Sequence, residues 1–506
     1  MVIPSRLLLV AILLGLAASR LAAQELKIVP YRVQGYNIDE VGYPSDMVST
    51  GYEQDFAYVE WWERGQVRSS ANFYLQFMRP SRKKSGGWNY DEVNAVPLTR
   101  PDEGQMKFKS LHALDGHLAV VGNMTNDRGE PTLKMQIFTR SGSRKGKPTT
   151  LTPFRKELDE HTHLIRTAPD GSHIAWLGLP NEQNPKETAY YAVCYTAEGR
   201  LAWREQIRVP NPGDDHVLTD YAVDKRGNLF LLMEDAEPEG TMADRETPPR
   251  VVWYKSKAQK FEIIDLKLPG YSYAYVDFHI AEGDQLVVGA ATSKQDGPQL
   301  KNGSQLDEGE RAWSNFSYRR FNIMRNMLLE AQTDTDVPDS LVKRYEETED
   351  GANFSTSRFI VAGEQVFWLL EEHFTKGKLR GTMFANYDVG VLSFDRTAGD
   401  LQWASFMDKQ QRDFGSRQFL GYSPAVTETF LHLAYLTERG ASGKVRMASV
   451  NRNSGGLLKK TIISNQTGRF TFFPRRHIQL QERLLMIGMG DPSKQEYYLL
   501  QIEQLP

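Results

Sequence analysis

The chain has 506 residues, 40 % of them apolar and 11 % aromatic, enough to fill a substantial core and too much for a disordered polymer. Its formal net charge of −3 gives no basic excess that would recommend nucleic acid or an anionic membrane surface as partner. A single cysteine, Cys194, excludes any intrachain disulfide.

Residues 1–23 carry Arg6, an apolar run over 7–18 and then Leu21-Ala22-Ala23, the three-part plan of a secretory signal peptide. The run falls short of the roughly 18 apolar residues that a membrane-spanning helix needs. Cleavage near Ala23 is expected, which removes Arg6 and Arg20 and takes the net charge from −3 to −5. The expectation is a secreted or periplasmic protein with no transmembrane segment after signal cleavage. Five Asn-X-Ser/Thr triplets, at Asn123, Asn302, Asn315, Asn353 and Asn465, matter only in a host that glycosylates them.

Residues 24–50 are polar with scattered aromatics and no period, which reads as a surface lead-in. Over 55–78 apolar and polar residues alternate as two strands joined at Glu63-Arg64-Gly65 would. These are expected to be outer strands completing the last repeat, since closure from the opposite terminus removes an aggregation-prone sheet edge.

From 107 onward one pattern returns: an apolar-alternating segment, a tight turn and a second such segment. Its copies are "HALDGHLAVVG" at Gly116, "TAPDGSHIAWLG" at Gly171, "AVDKRGNLFLLM" at Gly227, "HIAEGDQLVVG" at Gly283 and "FIVAGEQVFWLL" at Gly363. Degenerate copies follow near Glu428 and Glu482, so the intervals are 55, 56, 56, 80, 65 and 54 residues. A second turn is also repetitive, as "TAEGRLAW" at Gly199, "RTAGDLQW" at Gly399 and "RNSGGLL" at Gly455. Two turn signals with one period of about 55 residues describe four short strands per unit, the size of a propeller blade.

The segment around Gly171 resembles the blade signature of TolB-type propellers, and "AVDKRGNLFLL" is similar to the corresponding stretch of NHL-type propellers. The turns ending in Trp203 and Trp403 resemble those that end each blade of quinoprotein-like propellers. Such motifs are turn requirements and imply architecture alone. The fold expected is an all-β propeller of seven four-stranded antiparallel blades over 51–506, with eight as the alternative. The long unit between Gly283 and Gly363 is read as a helical insertion at about 293–354, its main helix over 311–332, where apolar residues recur at three- and four-residue spacing.

No Walker loop, Gly-x-Ser-x-Gly elbow or His-Glu-x-x-His is present, so no catalytic residue is nominated, and neither cofactor nor metal is expected. Cys194 lies in the apolar "YYAVCY" and reads as core. The His161-x-His163 pair is most simply a polar approach to a strand.

In a propeller the first strand of each blade lies nearest the axis, and the loop feeding it opens at the funnel mouth. Aligning the units by their turns brings Lys109, His163, Arg166, His216, Tyr273 and Tyr275 to that mouth, together with Arg358, Arg417 and Arg476. The set is richer in cationic and aromatic side chains than the net charge suggests, and suits an anionic group. The expected function is therefore a binding module for a cell-envelope protein or a glycan. An extracellular carbohydrate-active hydrolase or lyase is the alternative, with Asp159, Asp220 and Asp277 as candidate carboxylates.

Overall fold

In the computed structural model the chain is an eight-bladed β-propeller. The residues described are 26–30, 41–50, 55–63, 72–82, 88–98, 106–125, 131–151, 158–180, 187–210, 216–235, 249–266, 268, 272–281, 284–293, 315–338, 354–378, 381–414, 420–437, 445–463, 471–481, 483–489 and 497–502. Blades I to VII take four consecutive antiparallel strands each, over 41–97, 107–150, 158–210, 216–265, 272–336, 354–407 and 423–463, and blade VI adds a fifth, Gln411–Phe414, paired with its third strand. Blade VIII takes three, Thr471–Leu480, Arg483–Met489 and Tyr497–Ile502, and its outer strand is Leu26–Pro30 from the other end of the chain.

Three expectations are corrected here. The blade count is eight because 55–78 does not complete the last repeat: Phe56–Glu63 and Asn72–Arg82 are the middle strands of a blade of their own. The supposed lead-in supplies that blade's inner strand, Val41–Ser49, and the closing strand Leu26–Pro30. No helix occurs among the described residues, and the expected helix over 311–332 is instead a hairpin of Asn315–Asn322 and Leu328–Asp336, the outer half of blade V. The spacing misled because this hairpin turns through Asn326 and Met327 in left-handed conformations (φ 55° and 57°), which breaks the two-residue alternation where the helical period was counted. The rest of the expected insertion, at 294–314 and 339–353, lies outside the described residues, as does the signal peptide.

The two turn signals occupy one face of the ring. Gly116, Gly171, Gly227 and Gly363 have φ between 62° and 73°, and Gly199, Gly399 and Gly455 between 69° and 82°. Those of the second set also touch the preceding blade. A Cβ on Gly455 would lie 2.7 Å from the Trp403 ring, and one on Gly199 would lie 2.8 Å from Ile137. Gly455→Ala therefore combines left-handed strain with a clash against a bulky neighbour, and should cost about 2–4 kcal/mol in a urea titration. An unchanged midpoint would mean that the blade VI–VII seam has slack.

Eight apolar layers among the described residues fill the eight gaps between neighbouring blades. The layer between V and VI stacks Phe359 on Trp368 at 5.6 Å and Tyr318 on Phe394 at 4.6 Å. Met47, Phe56, Tyr58 and Tyr90 of blade I pack on Phe473, Leu480, Leu485 and Ile487 of blade VIII, so the ring is shut by core packing as well as by strand pairing. Tryptophans add polar stitches: Trp203 Nε1 donates to the Gly227 carbonyl and Trp403 Nε1 to that of Arg452, both at 2.7 Å and both into the next blade. These are docking contacts, the structural content of the quinoprotein-like turns.

The closing strand pairs over its whole length, from Leu26 opposite Ile502 to Pro30 opposite Tyr498. Deleting residues through Pro30 should leave the outer edge of blade VIII open and the chain prone to association. Concentration-dependent light scattering that stays flat after the deletion would show the edge to be harmless.

Candidate functional site

First strands of successive blades lie against one another around the axis, from blade I to blade VI and from VII through VIII back to I. The connections that feed them, with those between second and third strands, share the face opposite the tight turns; most lie outside the described residues. Seven first strands carry a register shift, for example between Phe108 and Ser110, Leu218 and Asp220, and Tyr273 and Tyr275. Each such bulge re-aims the residues that follow it.

Counting back from the tight turn places side chains in tiers. His112, Arg166, Ala222, His279 and Ile360 stand opposite Ala119, Ala175, Phe230, Val287 and Phe367, one tier of five blades. Two residues earlier on the same strands come Ser110, Leu164, Asp220, Asp277 and Arg358, nearer the mouth. Blade I adds Asp46, and blade VIII adds Arg476 and His477.

These groups form an electrostatic chain across the blade gaps. Arg166 reaches diagonally to Asp220 of blade IV at 3.1 Å and lies 5.7 Å from the centre of the Tyr221 ring. Burial, with Arg166 nearby, pushes His112 down to about 4. His279, stacked at 6.5 Å on Phe359, is lowered by burial and by Arg358, against the opposing pull of Asp220. Burial and Arg358 hold His477 at about 4 as well. Asp46 is raised by burial despite accepting hydrogen bonds from the Leu111 and Met47 amides and feeling Arg476. At neutral pH His112 and His477 are therefore uncharged, and the acidic and basic groups named in this part of the ring are Arg166, Arg358 and Arg476 with Asp46, Asp220 and Asp277.

Arg358 differs from the other arginines. It is exposed to solvent on the first strand of blade VI. No ion-pair or hydrogen-bond partner holds it among the described residues, and burial lowers its pKa against the nearby Tyr422. It borders a cleft of about 220 Å³ between blades VI, VII and VIII, with Ile360, Pro424, Val426 and His477 among the walls.

Behind that cleft lies a buried polar cluster. The Lys409 ammonium, fully enclosed, pairs with the Glu371 carboxylate and donates to Gln411 Oε1 at 2.7 Å. Gln411 in turn accepts from the Gly421 amide and donates to the Leu436 carbonyl, tying blade VI to blade VII. Lys409 also stands 5.9 Å from the centre of the Tyr422 ring.

The nominated residues all fall on first strands where they are described. His216 opens its strand, Tyr273 and Tyr275 lie near the start of theirs, and Lys109, exposed, sits at a bulge. His163 stands opposite Gly178 in mid-sheet, and these four aromatic residues are placed by backbone alone. Arg166 lies one residue from the end of its strand, deeper than the mouth where it was expected, because the turn at Asp170 follows almost at once. Arg417 lies outside the described residues. Asp220 is engaged by Arg166, and Asp277 Oδ1 accepts from the Phe278 amide. Cys194 is buried, its thiol pushed up to about 12. Of the glycosylation triplets, Asn315 is 1 % exposed in its strand and out of an enzyme's reach.

Sequence reasoning passed over His112, His279, His477 and Asp46. The signal was there for two: His112 and His279 each stand two residues before the last residue of their strand, level with the nominated Arg166.

Comparison with known proteins returns propellers. The chain is similar to the crystal structure of BamB from Moraxella catarrhalis, at 9 % identity over 94 % of this chain and 100 % of that one, with a TM-score of 0.36. The WD40 domain of SCAP from fission yeast gives 9 % identity, 95 % of both chains and a TM-score of 0.42. The β-propeller domain of the Trilobed protease from Pyrococcus furiosus gives 9 % identity, 79 % of this chain, 98 % of that one and a TM-score of 0.34. No protein-family model and no curated protein matches the chain. The architecture stated above rests on strand order and core layers. No helix among the described residues is long and apolar enough to cross a membrane.

Proposed function

We propose that this protein is an exported binding module whose axial channel captures an anionic group of a cell-envelope protein or a glycan. The observation that supports this reading is Arg358, a guanidinium on the channel wall with no described counter-ion, beside a cleft of about 220 Å³. An uncompensated cation in a partly enclosed site gains most from a charge-assisted, bidentate contact with a carboxylate or sulfate. Asp220 and Asp277 are already engaged, which favours binding over a hydrolytic pair of free carboxylates.

The test is an array of glycans and free-carboxylate peptides, read for the native protein and for Arg166→Ala, Arg358→Ala and Arg476→Ala. Binding weakened tenfold or more by the Arg358 change is the expected result. Survival of binding in all three variants would remove the channel from consideration, and turnover of chromogenic glycosides would favour the hydrolase. N-terminal sequencing of the mature protein checks export.

A further inference from the structure

We propose that the cleft between blades VI, VII and VIII binds the C-terminal carboxylate of a peptide ending in an aliphatic residue, and that the ligand enters together with one proton taken up by His477. This rests on the channel reading above, and adds the ligand's chemistry and its coupling to pH.

The walls select the ligand. At about 220 Å³ the cleft is smaller than the roughly 300–1,000 Å³ of drug-sized sites, and suits one short side chain with the group attached to it. Ile360, Pro424, Val426 and Ile478 make its apolar surface, and no Phe, Tyr or Trp ring is among its described lining residues. Gln479 is committed elsewhere, its Oε1 accepting from the Val426 amide at 2.8 Å and its Nε2 donating to the Val426 carbonyl. Polar recognition therefore falls to Arg358 and His477. Arg358 offers the planar fork that a carboxylate takes in bidentate fashion.

His477 supplies the coupling. Its Nδ1 lies 2.6 Å from the Pro474 carbonyl, which can only accept, so Nδ1 carries the hydrogen and Nε2 holds a lone pair. In that state the ring is a poor neighbour for a carboxylate. Adding a proton from solvent to Nε2 makes a second donor and a second positive charge.

Arg358 of blade VI acts on it, Tyr422 from the segment leading into blade VII acts on Arg358, and Arg475 and Arg476 precede it on its own strand. Asp46 of blade I acts on Arg476, and His432 on the second strand of blade VII is held to Ser449 at 2.9 Å. In the empty cleft burial and Arg358 keep His477 neutral. A carboxylate seated on Arg358 cancels that repulsion and substitutes attraction, so binding and protonation favour each other.

Isothermal titration of the full protein with N-acetyl-Gly-Leu, its C-terminal amide and glucuronate tests this, from pH 7.5 to 5.0 in two buffers of different ionisation enthalpy. The acid should bind and the amide should not, and between the His477 pKa of the free protein and that of the complex the affinity should rise towards tenfold per pH unit, with up to one proton taken up per ligand. Arg358→Gln should lose at least tenfold in affinity at every pH. His477→Gln should still bind the acid, with no pH dependence and no proton uptake.

Binding by the native protein without proton uptake, or equal binding of the amide, overturns the inference. Preference for glucuronate would assign the cleft to an acidic glycan and overturn it too. Absence of dipeptide binding at any pH does the same, and array ligands that still depend on Arg166 or Arg476 would then leave the channel reading in place.

Discussion

Lys409→Met should destabilise the protein by about 3–5 kcal/mol, the loss expected when one partner of a buried ion pair is removed. The Lys409 side chain is 0 % exposed and that of Glu371 6 %, so a carboxylate that loses the ammonium cannot turn to water. Gln411 would lose the donor that fixes its Oε1, which also serves the Gly421 amide. Changing both partners, Lys409→Met with Glu371→Leu, should recover much of the loss, because an apolar pair of similar volume carries no desolvation penalty. A double variant no better than the single one would show that Glu371 is stabilised without Lys409. Since Lys409 also lies against Tyr422 beside Arg358, the single variant should loosen the cleft as well.

Acid should unfold the native ring well before most carboxylates are protonated. His112 and His477 are held at about 4, and His279 is lowered too, whereas an unfolded histidine titrates near 6.5. As pH falls through about 6.5 the unfolded chain binds protons that the folded ring refuses, so stability is lost between about 6.5 and 4. A shift of that size corresponds to roughly 3 kcal/mol for each of His112 and His477. Asp46 and Asp224 work in the opposite sense, because burial raises them and folding then favours their protonated forms, offsetting part of the loss at the acid end. Urea midpoints measured from pH 7.5 to 4.5 should fall steeply, and His112→Gln with His477→Gln should flatten the curve. A native profile without slope in that window would contradict the placement of these rings in a desolvated channel wall.

The architecture could be read from the turns because they are local. A left-handed glycine such as Gly171 or Gly399 is demanded by a few neighbouring residues, and its repetition needs no knowledge of distant contacts. Blade I escaped because the connection between its first two strands, 51–54, reads Gly-Tyr-Glu-Gln and does not repeat the turns by which blades II to VI were aligned. Blade V was misread for a related reason. Phe316, Phe321 and Met327 serve one apolar layer or another from a bulged hairpin, and the bulge between Arg320 and Phe321 shifts the period. The site was legible only as a set of strands. Which groups meet depends on tiers and bulges, so Arg166 could be nominated while its tier-mate His112 could not be joined to it.

The pairing of Leu26 with Ile502 has a bearing on how the protein is made. Residues 26–30 find their strand partners only in residues 498–502, so this seam forms only after both distant segments have been made. Contacts of such long sequence separation belong to slow folders.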